Sequence, residues 1–209
     1  VDLLALVSES PDIINNQVTH YYPKYIFGNA ASGKTFLKIA TLNNLSAYSD
    51  VNKNYKKMSI YHSTFSLGTG QLIKMPFLSD FLINYKLDKK DYRIIKDGLI
   101  DLIHFTFCTG ADYIYLCDEK VTRIDKNTNL SNTINNEIIT KINFSAVHLL
   151  GGFKRFNGRY INSLGKINGH SIYVNDSSLI SEKLLKNPQG SIMSLAKYNI
   201  DKIISKKLI

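Results

Sequence analysis

Long apolar runs and cysteines are both scarce in this chain. No stretch of its 209 residues approaches the roughly 18 to 20 uninterrupted apolar residues that a membrane-spanning helix needs. The first residues, VDLLALVSESPD, have neither a basic segment nor a cleavage-site pattern. The two cysteines, Cys108 and Cys117, lie in apolar segments and are too few to build a metal site. We therefore expect no membrane partner, no bound metal, and core thiols in a reducing, cytoplasmic location.

Acidic residues are fewer than basic ones, with 17 Asp and Glu against 26 Lys and Arg, so the net charge is +9. The lysines are scattered along the sequence and are not gathered into one stripe with aromatic residues. This distribution favours a solvated surface and no nucleic-acid partner, although a basic nucleic-acid-binding module stays an alternative. A hydrophobic fraction of 44% is enough for a sizeable core, so the chain is expected to be globular.

Hydrophobic periodicity predicts a mixture of helices and strands. Apolar residues spaced three or four apart follow Asp88, which predicts a helix with Asp88 as its N-cap and its end at Gly110. Pro188 opens a second periodic stretch, which predicts a helix to about Lys206. Strands are predicted over 21–27, 57–65, 112–116, 165–167 and 171–174, a short helix over 36–43, a turn over 43–54 and a loop over 126–136.

Residues 28–35, GNAASGKT, match the P-loop pattern G-x-x-x-x-G-K-[ST], in which backbone N–H groups and the lysine hold phosphates. The segment YIYLCDE, ending at Asp118 and Glu119, is similar to the strand and acidic pair that hold magnesium in many ATPases. A P-loop follows a buried apolar strand, whereas YYPKYIF contains Pro23 and Lys24. Two alternatives therefore stay open: a P-loop NTPase, or a Gly/Ser turn between strand and helix, which the context favours.

The last third of the chain has the most specific pattern. It contains NFSAVHLLGG at 143–152, LGKINGHSIYVNDSS at 164–178 and KNPQGSIMSLAKYNIDKII at 186–204. This order resembles the end of the glucose–methanol–choline oxidoreductases. In that family a histidine followed by small residues precedes a G-[RK]-V-x-G-x-x-x-[LI]-Y-V-x-D-[AS]-S segment, and an Asn-Pro or His-containing turn opens the final helix. The segment that begins GTGQLIKMP is similar to the substrate domain of bacterial members, so the resemblance covers nearly the whole chain.

The resemblance implies an α+β fold with two parts. Residues 1–145 would form the substrate-binding domain, with a largely antiparallel sheet and helices. Residues 146–209 would return as a strand and a terminal helix to complete an FAD-binding domain. The G-x-G-x-x-G fingerprint that cradles the FAD pyrophosphate does not occur in this sequence. We therefore expect the dinucleotide-binding half to lie in an N-terminal part of a longer polypeptide, and this chain to be incomplete as an enzyme.

The resemblance also implies an activity, the FAD-dependent oxidation of an alcohol or sugar to a carbonyl compound. By the family match, His148 is the base that takes the hydroxyl proton, and a histidine suits this role because its pKa lies near neutrality. The match places Asn187 where a side chain hydrogen-bonds the substrate oxygen. From the residues alone, Asn187 is equally well explained as a helix N-cap before Pro188.

Five further residues are implied to contact the cofactor. Asp176 and Ser177 match the family segment that lies along FAD, although a local Asx turn is the structural alternative. Pro188, Gln189 and Gly190 open the final helix, whose backbone N–H groups would face the flavin ring.

Overall fold

The structure is a computed structural model that describes residues 2–7, 19–21, 23–30, 32–75, 81–142, 150–153, 160–180, 184 and 188–206. The chain divides into two compact units, Val1–Phe144 and Ser145–Ile209, here called the N-terminal unit and the C-terminal unit. The sequence-based boundary between substrate-binding and FAD-completing segments was 145, and the roles assigned to those segments stay predictions.

The N-terminal unit is built on an antiparallel sheet of six strands. They are β1 (Asp2–Val7), β2 (Thr19–Tyr21), β3 (Tyr25–Ala30), β4 (Met58–Phe65), β7 (Ala111–Leu116) and β8 (Arg123–Asp125). Their order is β2-β3-β4-β1-β7-β8, so the first strand lies in the middle, between β4 and β7. A separate antiparallel hairpin pairs β5 (Thr69–Lys74) with β6 (Phe81–Lys86). The expected α+β class with an antiparallel sheet is confirmed.

One face of the sheet is covered by α3 (Lys89–Cys108). The predicted N-cap is confirmed: the Asp88 carboxylate accepts hydrogen bonds from the backbone N–H groups of Lys90 and Asp91, and the Asp91 carboxylate accepts one from the Asp88 N–H. Leu99 in the middle of the helix is fully buried, which is worth about 1.5–3 kcal/mol relative to exposure. The other side chains of this core include Phe27, Tyr61, Ile95, Leu102, Ile103 and Ile114.

The opposite face of the sheet is covered by α1 (Lys34–Ala40) and α2 (Leu45–Asn54), followed by a 3-10 turn over Tyr55–Lys57. Successive side chains of a strand point to opposite faces of the sheet. Met58 and Ile60 of β4 therefore pack against α1 and α2, whereas Tyr61 belongs to the core under α3. The remaining buried side chains of this second core are Leu37, Ala47, Val51, Tyr115 and Val121. The sheet is therefore sandwiched between helices.

Several predicted elements differ from the structure. The strand predicted over 21–27 is a hairpin of β2 and β3, with a bend at Pro23 and Lys24. The turn predicted over 43–54 is α2, because the Asn44 side chain caps it and Ala47 and Val51 provide a buried stripe at helical spacing. Two short helices, α4 (Leu130–Thr133) and α5 (Asn136–Lys141), occupy the end of the predicted loop and the segment after it.

The C-terminal unit consists of an irregular turn-rich segment over 160–180 and one long helix, α6 (Gln189–Ser205). The strands predicted over 165–167 and 171–174 are reduced to isolated bridges, Ile161 with Ile167 and Lys166 with Tyr173. The predicted final helix is confirmed to within one residue at each end. Pro188 lies at the N-cap and not at the first helical position, and its carbonyl accepts the first helical hydrogen bond.

Candidate functional site

The described site residues implied by the resemblance lie on two segments of the C-terminal unit, at the turn over 176–179 and at the start of α6. His148 and Asn187 lie outside the residues that the structure describes. Their predicted roles therefore stay predictions. Asp176, Ser177 and the first residues of α6 are among the described residues.

Asp176 caps a 3-10 turn over Ser177–Leu179. Its Oδ1 accepts hydrogen bonds from the backbone N–H of Ser178, at 2.9 Å, and from the Ser178 hydroxyl. The turn is closed by a hydrogen bond from the Leu179 N–H to the Asp176 carbonyl, and the Leu179 side chain is buried. The Asx turn is thus present. Because both side-chain bonds use Oδ1, Oδ2 of this exposed carboxylate has no partner among the described residues.

Gly165 allows the backbone to pack closely against the segment that leads into this turn. Its φ of +83° lies in the left-handed region, and a Cβ added there would lie 2.2 Å from the carbonyl oxygen of Val174. The Val174 N–H donates to the Gly165 carbonyl at 2.8 Å, and the Ile167 N–H donates to Ile172 at 2.9 Å. These bonds hold the strand-like segment 172–174 directly before Asp176 and Ser177.

The beginning of α6 presents backbone N–H groups. Gln189 and Gly190 are exposed, the first turn contains no acidic residue, and no side chain caps the helix. A Cβ at Gly190 would meet nothing within 4 Å. The first N–H groups of a helix have no intrahelical acceptor and carry the positive end of its dipole. This end of α6 can therefore stabilise negative charge.

An amide hydrogen bond that sequence reasoning missed connects the middle of α6, ten residues beyond its start, to the residue before the turn. Asn199 of α6 is fully buried and donates from Nδ2 to Oδ1 of Asn175, at 2.8 Å. Asn199 Oδ1 itself has no partner among the described residues. The sequence signal that could have indicated this bond is Asn199 itself, a polar residue within the periodic apolar pattern of the last helix. The bond ties α6 to the residue immediately before Asp176.

The apolar stripe predicted on α6 is only partly buried. Ile203 is buried, whereas Met193, Ile200 and Ile204 are 64%, 42% and 58% exposed. Periodicity alone identifies such a stripe but does not say what covers it.

The P-loop match spans the end of β3, a short loop and the first residues of α1. Gly28 is paired in the sheet with Thr19 on one side and His62 on the other, so the motif begins inside a strand. The Ser32 hydroxyl donates to the Ala30 carbonyl and accepts from the Ile60 N–H, at 2.8 and 2.9 Å. Lys34 Nζ lies 4.7 Å from the centre of the Tyr55 ring. β3 is buried over 25–28 and begins after Pro23 and Lys24, and α1 begins at the motif residue Lys34, so the order of strand, loop and helix is present and the NTPase alternative stays a prediction.

Asp118, the first residue of the acidic pair after β7, forms hydrogen bonds within its own turn. Asp118 is buried, and its carboxylate accepts hydrogen bonds from the N–H and hydroxyl of Thr122, at 2.6 and 2.8 Å. The turn places Val121 at a φ of 51°, which is uncommon for a β-branched residue. The carboxylate therefore stabilises a tight connection between β7 and β8.

A further cluster on the α2 face of the sheet was not predicted. Oδ2 of Asp50 accepts hydrogen bonds from the hydroxyls of Tyr113 and Tyr115, the latter at 3.0 Å, and Oδ1 accepts one from Asn54. The Arg123 guanidinium lies 4.0 Å from the centre of the Tyr113 ring. Burial, followed by the hydrogen bond and charge of Asp50, raises the pKa of both tyrosines.

This cluster predicts a loss of stability at alkaline pH. The folded protein keeps both phenols protonated above their usual pKa of about 10, whereas the unfolded chain ionises there. The stabilising contribution is complete below pH 10 and is lost as pH rises through and beyond it. We expect the urea midpoint of Tyr113→Phe to fall less steeply than that of the wild type as pH rises from 9 to 11. The change for Asp50→Asn should be in the same direction but smaller. An unchanged slope in Tyr113→Phe would contradict the coupling.

Among the described residues, no group of three or more His, Cys, Asp or Glu side chains could hold a metal ion. None of the described helices is long and apolar enough to cross a membrane. In comparisons with known proteins, no family model matches the chain and no curated protein matches it significantly.

Proposed function

We propose that this chain is the C-terminal part of an FAD-dependent alcohol oxidoreductase of the glucose–methanol–choline type. The observation that carries the proposal is the ordered set of motifs over 143–204. The structure supports it at two of those motifs, because Asp176 and the start of α6 both present groups that suit a bound dinucleotide. The Asn175–Asn199 bond ties the residue before Asp176 to the middle of α6.

The described residues fit the chemistry of FAD at two points. Oδ2 of Asp176 is an exposed acceptor that suits a hydroxyl group of the cofactor. The uncapped start of α6, with no acidic residue in its first turn, suits the negative charge of reduced flavin. FAD would supply the hydride acceptor, its N5 atom. The protein must then supply binding, orientation and a proton acceptor.

His148 is proposed to be that proton acceptor. Oxidation of an alcohol removes a hydride from carbon and a proton from oxygen, so a base is needed beside the substrate hydroxyl. Asn187 would hydrogen-bond the same oxygen and stabilise its developing negative charge. Both residues flank described segments: His148 precedes Gly151 and Gly152, and Asn187 precedes Pro188.

The exposed stripe of α6 is consistent with an incomplete chain. Met193, Ile200 and Ile204 are large apolar side chains on a helix that the resemblance assigns to a flavin domain. Under the proposal, the N-terminal dinucleotide-binding half contacts this stripe in the longer polypeptide. The substrate class is an alcohol or a sugar.

The proposal predicts that charge at the start of α6 changes the flavin reduction potential. Gly190→Asp places a carboxylate at the positive end of the helix, where open space accepts the side chain. In the complete enzyme we expect the two-electron midpoint potential to fall by roughly 20 mV, because reduced flavin loses about 1 kcal/mol of stabilisation. Gly190→Asn, similar in shape but neutral, is the control. Equal potentials for the two variants would contradict a flavin at this helix end.

A further inference from the structure

The outer surface of the α1 and α2 layer exposes large apolar side chains. Leu45 is 85% exposed, Leu42 61%, Ile39 59% and Phe36 58%, all within ten residues of sequence. Phe36 and Ile39 are three residues apart on α1, and the other two lie in and just after its connection to α2. Exposed apolar side chains grouped in this way are typical of interaction sites.

The same layer is strongly basic. It contains five lysines, Lys34, Lys38, Lys53, Lys56 and Lys57, and none of them forms an ion pair with a described residue. The only acidic residue between 34 and 57 is Asp50, whose carboxylate is held by two tyrosines and an asparagine. Lys38 Nζ lies 5.2 Å from the centre of the Tyr48 ring. Together these nine side chains, four apolar and five basic, are called the α1–α2 surface.

We propose that the α1–α2 surface binds the surface of an anionic phospholipid membrane. Lysines favour the negatively charged headgroups, while exposed leucine, isoleucine and phenylalanine side chains enter the boundary between headgroups and acyl chains. This peripheral contact requires no spanning helix. The expectation of no membrane partner rested on the lack of long apolar runs and an export signal, and could not take account of side chains that folding leaves exposed.

The charge and the type of exposed side chain favour a membrane over two other partners, a second copy of the chain and a nucleic acid. A symmetric dimer through this surface would place two copies of it in one interface, so ten lysines would be brought close together. Nucleic acid would use the lysines, but bases stack on aromatic rings, and Phe36 is the only aromatic residue among the four exposed apolar side chains. Three aliphatic side chains combined with uncompensated positive charge favour a lipid surface.

Vesicle binding by the full chain tests the proposal. We expect sedimentation with vesicles of phosphatidylcholine and phosphatidylserine, little with phosphatidylcholine alone, and weaker binding at high salt. Lys56→Gln/Lys57→Gln should lower the partition coefficient roughly 30-fold. Leu42→Ser/Leu45→Ser should lower it roughly 10-fold or more. All four residues are exposed, so the variants should keep the wild-type melting temperature.

Lys89→Gln/Lys90→Gln is the matched control, because it removes the same charge from exposed residues at the start of α3, on the other side of the sheet. This variant should bind vesicles like wild type apart from the small effect of net charge. Equal weakening by the two lysine pairs would overturn the proposal, as would absence of binding to anionic vesicles. Concentration-dependent dimerisation that is lost in Leu42→Ser/Leu45→Ser would assign the surface to a second copy and overturn it as well.

Discussion

His148→Ala in the complete enzyme is expected to slow reduction of the flavin by an alcohol by about 10²- to 10⁴-fold, the usual contribution of a general base. The proton of the substrate hydroxyl then has no positioned acceptor while the hydride leaves carbon. Binding of FAD should be unchanged, because the imidazole is assigned to the substrate and not to the dinucleotide. Rapid mixing of the oxidised enzyme with alcohol in the absence of oxygen measures the rate directly.

His170→Ala is the control for this prediction. His170 is exposed, belongs to the turn at Gly169, and is not part of the sequence motif at 143–152 that contains His148. Its replacement should leave flavin reduction within about twofold of wild type, since surface substitutions of this kind rarely matter. If His148→Ala reduces flavin as fast as His170→Ala, the assignment of His148 as the base is wrong.

Gly165→Ala is expected to destabilise the C-terminal unit by about 2–5 kcal/mol. The left-handed conformation costs an alanine about 1–2 kcal/mol, and the overlap between its Cβ and the Val174 carbonyl adds about 1–3 kcal/mol. The clash is with backbone, at 2.2 Å, so no side-chain rotation relieves it. Thermal denaturation should show the loss, and bound FAD should be released at lower temperature, because segment 172–174 precedes Asp176.

Gly169→Ala separates conformational strain from the clash. Gly169 has nearly the same φ, +79°, but a Cβ there meets nothing within 4 Å. This variant should lose only the backbone contribution, about 1–2 kcal/mol. Equal destabilisation by the two substitutions would show that the close approach of Gly165 to Val174 does not exist in solution.

Local signals predicted some elements of the fold and missed others. The helix α3 was predictable because its capping residue, its periodic apolar face and the glycine shortly after its end all indicate the same helix. The helix α2 was missed because Asn, Ser and Asp are typical of turns, while its two buried positions, Ala47 and Val51, make a weak stripe. The central position of β1 depends on pairing with residues more than fifty positions away, which local pattern does not encode.

The candidate site shows the same limit. The sequence motif predicts cofactor contacts for Asp176 and the start of α6, and these contacts stay predictions. The Asn175–Asn199 bond and the Asp50 cluster join residues 24 and more than 60 positions apart, so no spacing rule could have found them. The requirement for glycine at 165 likewise comes from a backbone contact across a turn and not from a local propensity.

The most direct test of the proposed function is a visible absorption spectrum of the complete protein, purified without denaturation and mixed with primary alcohols or sugars in the absence of oxygen. We predict a bound-flavin spectrum that bleaches on addition of a substrate and returns when an electron acceptor is added. A protein that remains colourless after incubation with FAD, or a bound flavin that no alcohol or sugar bleaches, would contradict the proposed activity.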